Sequence, residues 1–224
     1  MTTQGFVASN ADAIVVAFRG TELPHLSHGD WFSLPSTIIE SGQDWFTNVQ
    51  LPLTLFPDRN GALGNVHSGF YRAFVDVSEH LSAALNALLN QKRRAVWFTG
   101  HSLGGALATL AAAWYGQPAY LYTYGCPRVG DDTFVARFPA NVKTARFNVA
   151  GDPVALLPLR THWGLPIHNI LRVDAYQVLG TAIWLDANSK PVMGNAPVNA
   201  RAPNPFAHAP MLYSNLLWNN LLPD

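Results

Sequence analysis

The chain of 224 residues is long enough for one domain with a full core, and no internal linker divides it. Charged residues reach only 12% against about 25% in an average soluble domain, while 49% are apolar, so the surface must carry much uncharged area, as suits an enzyme with greasy substrates. Fourteen basic and fourteen acidic side chains cancel and only Lys92-Arg93-Arg94 cluster, which speaks against nucleic acid as a partner, and the single cysteine, Cys126, excludes an internal disulfide.

No C-x-x-C or clustered His/Cys spacing suggests a structural metal, and no stretch is long enough for a transmembrane span. The N-terminal TTQGFVASN has neither a basic start nor an apolar h-region, which predicts no signal peptide in this chain and leaves a secreted origin open.

Residues 4–9 and 13–19 read as two short strands in a hairpin turning at Asn10-Ala11-Asp12. From 22 to 43 periodicity dissolves into His, Ser, Gly and Pro around the apolar islands Trp31-Phe32 and Ile38-Ile39, a long loop with or without short helices. Residues 51–56 predict another strand, followed by the turn Pro57-Asp58-Arg59-Asn60-Gly61. A helix over 68–91 follows, because Phe70, Phe74, Val77, Leu81, Leu85 and Leu88 recur at intervals of three and four and form one buried stripe.

Val96-Trp97-Phe98 is β-branched and aromatic, as a buried strand requires, whereas residues 106–113 are strong helix formers. Gly100-His101-Ser102-Leu103-Gly104 therefore spans a strand-to-helix turn, the context in which G-x-S-x-G holds a serine on a strained corner with its hydroxyl exposed. A glycine-rich turn whose serine merely caps the helix is the plainer alternative, and the flanking pattern favours a nucleophile. Residues 119–125 predict a strand, 131–138 a short helix and 144–149 a strand. Such alternation means a mostly parallel sheet with crossover helices. Residues 167–173 and a hairpin over 182–192 add edge strands, and a helix over 210–222 ends the chain.

A serine hydroxyl needs an imidazole to take its proton and a carboxylate to orient that imidazole. In α/β-hydrolases the order along the chain is serine, acid, histidine. Of the acids after Ser102, Asp152 immediately follows a strand's C-terminal end, where such sheets present ligand-facing residues; an Asx-turn before Pro153 is its structural alternative. His162, His168 and His208 remain for the base. His208, just ahead of Pro210 at a helix start, is favoured but not singled out by the residues alone. His67 and His101 fail the order and are expected to bond backbone near the site. For the oxyanion, the amide of Leu103 is one expected donor, and Thr21, ending Phe18-Arg19-Gly20-Thr21 after an early strand, the second.

Five blocks in order carry a resemblance: Phe18-Arg19-Gly20-Thr21, Val66-His67-Ser68-Gly69-Phe70, Gly100-His101-Ser102-Leu103-Gly104-Gly105-Ala106, Thr123-Tyr124-Gly125-Cys126-Pro127-Arg128-Val129-Gly130 and Gly151-Asp152-Pro153-Val154 with Pro158. Together they resemble the class 3 (fungal-type) lipases. The resemblance implies an α/β-hydrolase fold with helices on both faces of a mostly parallel sheet. It also implies a Ser102-Asp152-His208 triad and hydrolysis of fatty-acyl esters, often triacylglycerols, without a cofactor. It selects His208, because Tyr213 follows five positions on at the start of the last helix. A short-chain or feruloyl-type esterase shares these motifs, and a catalytically silent lipid-binding module is the alternative from another class.

The pattern departs from the family in two places. The chain opens close to its first recognisable strand, where relatives carry helices and a strand first. Thr21 is also far from Asp44-Trp45-Phe46-Thr47-Asn48, and the intervening residues 22–43 stand where the family has its lid. Trp31, Phe32, Leu34, Ile38 and Ile39 there could cover the site in water and turn to a lipid interface, or form an insertion that never moves.

Overall fold

A computed structural model describes residues 3–20, 53–58, 61–158, 176–186, 189–194 and 204–221. Thr21, the segment 22–43, the strand expected at 167–173, and both His162 and His168 lie outside the described residues.

Seven strands form the central sheet in the order β1 (Gly5–Ser9), β2 (Ala13–Phe18), β5 (Ala95–His101), β6 (Ala119–Tyr124), β8 (Val142–Val149), β10 (Ala182–Asp186) and β11 (Ser189–Met193). The five strands from β2 to β10 pair in parallel, and antiparallel hairpin partners close both edges. This is the mostly parallel sheet that alternating strands and helices predict. The hairpin at residues 4–19 and the one at 182–192 are both present.

Helix α1 (Ser68–Gln91) buries Phe70, Phe74, Leu81 and Leu85, with Val77 and Leu88 packed at the margin. Each fully buried member of that stripe contributes about 1.5–3 kcal/mol. Its N-cap is His67 rather than a small polar residue: ring Nδ1 accepts from the amides of Gly69 and Phe70 at 3.2 and 3.4 Å, and the ring stacks on Phe70. Helix α2 (Leu103–Tyr115) is buried from Gly104 to Ala113, because it lies between α1 and the strands β2, β5 and β6. Its alanines and glycines permit that closeness. Gly116, at φ 63°, ends it by donating to Ala112 O.

Phe147, Val149, Leu185, Tyr213 and Leu216 form a second core, which seats helix α4 (Pro210–Leu221) against β8 and β10. Side chains alternate along β6: Leu121 and Thr123 are buried on the α2 side, while Tyr122 and Tyr124 face α4 across a groove. Helices thus cover both faces of the sheet.

A second, four-stranded sheet has the order β3 (Leu53–Asp58), β4 (Gly61–His67), β7 (Gly130–Asp131) and β9 (Tyr176–Gln177). The sequence reading did not anticipate it. The turn expected at 57–61 is shorter than expected, since β3 runs through Pro57 and Asp58 across a bulge and Asp58 pairs with Gly61 at the start of β4. Helix α3 (Asp132–Arg137), capped by Asp131 through Phe134 N–H, lies on β4. A Cβ on Gly64, at φ 136°, would sit 2.3 Å from Phe134 N, so this crossing needs glycine.

Candidate active site

The candidate nucleophile sits between β5 and α2. Ser102 has φ 57° and ψ −127°, and it is the one non-glycine with positive φ among the described residues. Such backbone costs on the order of 1–3 kcal/mol and persists only where surroundings enforce it. Three contacts do so: Ser102 N–H donates to Tyr124 O at 2.9 Å, and Ser102 O accepts from the amides of Gly105 and Ala106. Sterics complete the corner. A Cβ on Gly100 would lie 2.2 Å from Gly104 C, and one on Gly104 would lie 2.3 Å from Phe18 O. The side chain of Ser102 makes no cap bond to α2, so the reading of it as a mere helix cap fails.

Asp152 arrives just past β8, where the sheet's C-terminal edge predicts it, and is 1% exposed. Its two oxygens divide the work. Oδ1 accepts from Val154 N–H at 2.8 Å, which is the Asx-turn, while Oδ2 accepts from Tyr213 OH at 2.5 Å and faces His208 Nδ1 at 2.9 Å. The Asx-turn and the contact with His208 therefore coexist on Asp152, one on each oxygen.

His208 ends a 3-10 turn, Pro205–His208, directly ahead of α4. Asn204 starts that turn by accepting from Phe206 N–H through Oδ1, and its own amide donates to Gly151 O at 2.8 Å. The backbone carrying the histidine is thereby tied to the backbone carrying the aspartate. With Nδ1–H donated to the carboxylate, Nε2 is left as the ring's acceptor. The ring lies beside that of His101, the residue before Ser102, with centroids 4.5 Å apart. Ser102 Oγ and the His208 ring are not joined by a hydrogen bond, and catalytic bonds of this kind often tighten only with substrate present.

Sequence reasoning used Tyr213 only as a spacing marker. Its hydroxyl donates to Asp152 Oδ2 and accepts from Val149 N–H at 3.0 Å. Burial first, then the Asp152 charge, pushes the phenol well above its ordinary value, so it stays a donor. Gly125 was likewise missed as a site residue. At φ 55° it lies under all three groups: a Cβ there would meet Asp152 Oδ2 at 2.7 Å, Tyr213 OH at 2.9 Å and His208 Nδ1 at 3.1 Å.

His101 is pushed down to about 4, by burial above all and then by the charge of His208, against weaker opposing effects of Asp152 and of a backbone hydrogen bond with His208. His67 is lowered to about 4 by burial. His67 bonds backbone, as its position predicts, whereas the His101 ring contacts the rings of His208 and Tyr213. Cys126 is no rival nucleophile, since burial pushes its thiol up to about 12. Among the described residues no group of three or more His, Cys, Asp or Glu side chains could hold a metal ion.

The amide of Leu103 opens α2 and so has no carbonyl one turn back to bond. Thr21, the other expected donor, lies outside the described residues. The residue before it is described: a Cβ on Gly20 would stand 2.9 Å from His101 O and 3.5 Å from Ser102 Cβ, so the chain leaving β2 runs beside the serine.

The family model for lipase (class 3) matches residues 15–162. The chain belongs to that family. Among curated relatives of this class 3 lipase chain, secreted mono- and diacylglycerol lipase 1 of Fusarium solani is 44% identical over 127 residues, covering 54% of this chain and 34% of the relative. Secreted mono- and diacylglycerol lipase A of Penicillium cyclopium is 30% identical over 164 residues, covering 70% and 47%. The chain thus spans between a third and a half of the length of these relatives. The solved structure of Rhizomucor miehei triacylglyceride lipase matches with a TM-score of 0.66 at 21% identity, covering 92% of this chain and 74% of that one. This likeness carries the α/β-hydrolase fold. Among the described residues no helix is long and apolar enough to cross a membrane.

Proposed function

We propose that this chain is a serine carboxylester hydrolase of lipase type, in which Ser102, Asp152 and His208 form the catalytic triad and fatty-acyl esters are the substrates. One observation carries the reading: a buried Asp152 holds the imidazole of His208 by Nδ1, and that ring lies 4.5 Å from the ring of His101, the residue before a serine on a strained strand-to-helix corner. Packing alone has no use for that combination, because the strained serine and the buried carboxylate both cost stability.

In the proposed reaction Ser102 Oγ attacks the ester carbonyl as its proton passes to His208 Nε2. Asp152 stabilises the imidazolium without itself taking the proton. Leu103 N–H and Thr21 hold the oxyanion, and the position of Gly20 beside Ser102 supports the second assignment. The tetrahedral intermediate collapses, the alcohol leaves with the proton from His208, and the acyl-enzyme is released by water along the same route in reverse roles. No cofactor takes part.

Three exposed apolar side chains support a greasy substrate and contact with a lipid surface. Phe206 and Met211 flank His208 in sequence at 47% and 62% exposure, and Leu156 stands at 42% just after Asp152. The relatives named as mono- and diacylglycerol lipases support glycerides over short soluble esters, and their description as secreted supports an extracellular role. Residues 22–43 are the proposed lid.

Hydrolysis of an acyl chain-length series by wild type and Ser102→Ala tests the proposal. Wild-type activity that rises on long-chain emulsions and vanishes in Ser102→Ala is expected. A maximum on short soluble esters with no gain on emulsions replaces lipase by esterase, and a folded wild type that hydrolyses nothing overturns the enzyme reading.

A further inference from the structure

The bond to Asp152 fixes one nitrogen of the His208 ring but not the tilt of the ring about it. A second contact must set that tilt, and the described residues offer one. The His101 ring lies against His208 with centroids 4.5 Å apart and planes 34° from parallel, and its other neighbour is Tyr213, at 5.4 Å and 65°. His101 itself cannot drift: its backbone is in register with Tyr124 of β6, and Ser102 next to it donates to Tyr124 O. Its Nε2 is buried without a hydrogen-bond partner, a poor choice if the residue only filled space.

His101 also separates two regions. A groove of about 510 Å³ between the sheet and α4 is lined by His101, Tyr122, Tyr124, Phe147, Tyr213 and Trp218, among others, whereas His208 does not line it. His101 thus touches the groove on one side and the His208 ring on the other.

We propose that His101 is a positioning residue for catalysis, acting through His208: its ring fixes the tilt of the general base and screens it from the groove. The proposal rests on the triad reading above. It deepens that reading, because it makes the second residue of G-H-S-L-G part of the base's seating and not a spacer. Being uncharged at neutral pH, the His101 ring can lie beside the imidazolium that forms in the reaction without repelling it.

The test compares His101→Ala and His101→Phe with wild type. Hydrolysis of a soluble p-nitrophenyl ester, thermal unfolding, and the low-field proton resonance of the His208–Asp152 bond are measured for each. His101→Ala should lower kcat on the order of 10- to 100-fold, as a small misplacement of a catalytic group does, with KM within about twofold. Its low-field resonance should broaden or vanish by exchange with water. His101→Phe keeps a ring face and should recover most of kcat and the resonance. An Ala variant with wild-type kcat and a sharp resonance overturns the proposal, as does a loss confined to KM or a Phe variant that falls as far as Ala while remaining folded. If wild type hydrolyses no ester, the triad reading fails separately, and the resonance comparison still decides whether His101 seats the His208 ring.

Discussion

The hydroxyl of Tyr213 and the carboxylate of Asp152 are joined by a 2.5 Å hydrogen bond inside the core, and the same hydroxyl accepts from Val149 N–H at 3.0 Å. A residue of the last helix thereby links the end of β8 to the acid that follows it. Tyr213→Phe removes a donor to a charged acceptor and leaves a buried amide unpaired. It should destabilise the protein by about 1.5–3 kcal/mol in urea unfolding. The same change frees Asp152 to turn, so kcat should also fall, on the order of tenfold. Unchanged stability in the Phe variant would show that the bond contributes nothing.

Gly125 lies against that pair and the His208 ring together. Alanine at φ 55° costs about 1 kcal/mol in backbone strain alone, and its methyl would stand within about van der Waals overlap of three polar atoms that must stay in line. Gly125→Ala should therefore lose far more activity than stability, with kcat/KM down on the order of 100-fold while the fold survives. Melting temperature and ester hydrolysis on the same sample check this. Near wild-type kcat/KM would mean the three groups tolerate displacement.

How far the sequence carried the account depended on whether periodicity or tertiary contact set each element. Helix α1 was legible to the residue, because its stripe of Phe and Leu has only one geometric reading. Asp152 was legible as well, since its place after a strand's C-terminal end is a topological consequence. Strand β4 was not: Gly-Ala-Leu-Gly-Asn-Val has little β-branching, and it is held extended by pairing with β3 and by the close crossing of Gly64 with Phe134. Strands β7 and β9, of two residues each, have no period to read. His208 needed the family resemblance, because three histidines satisfied the order rule. The roles of Tyr213 and Gly125 had no signal in spacing, since both arise where distant elements meet.

Burial of His67 and His101 links stability to pH. Each has a folded pKa of about 4, below the ordinary 6.5. The unfolded chain therefore takes up protons first as pH falls, and stability present above 6.5 is lost progressively down to about 4. The two together should remove on the order of a few kcal/mol over that window. Protonated Nδ1 of His67 can no longer accept from Gly69 and Phe70, so loss of the α1 cap is one physical step in it. Melting temperatures between pH 7 and 4 should fall steeply, and less steeply in His67→Asn, where an amide oxygen can cap without titrating. A flat profile in wild type, or an unaltered slope in the Asn variant, would remove His67 from the explanation.

The central claim is that Ser102 is a nucleophile activated by His208 and oriented through Asp152. Labelling with an alkyl phosphonate, read as the mass of the intact protein and mapped to a peptide, tests it most directly. One phosphonyl group on Ser102 is predicted for wild type and none for Ser102→Ala. Labelling should slow on the order of 10⁴-fold in Asp152→Asn, where the imidazole loses its orienting charge. A folded wild type that takes up no label, or one labelled at the same rate in Asp152→Asn, would contradict the account.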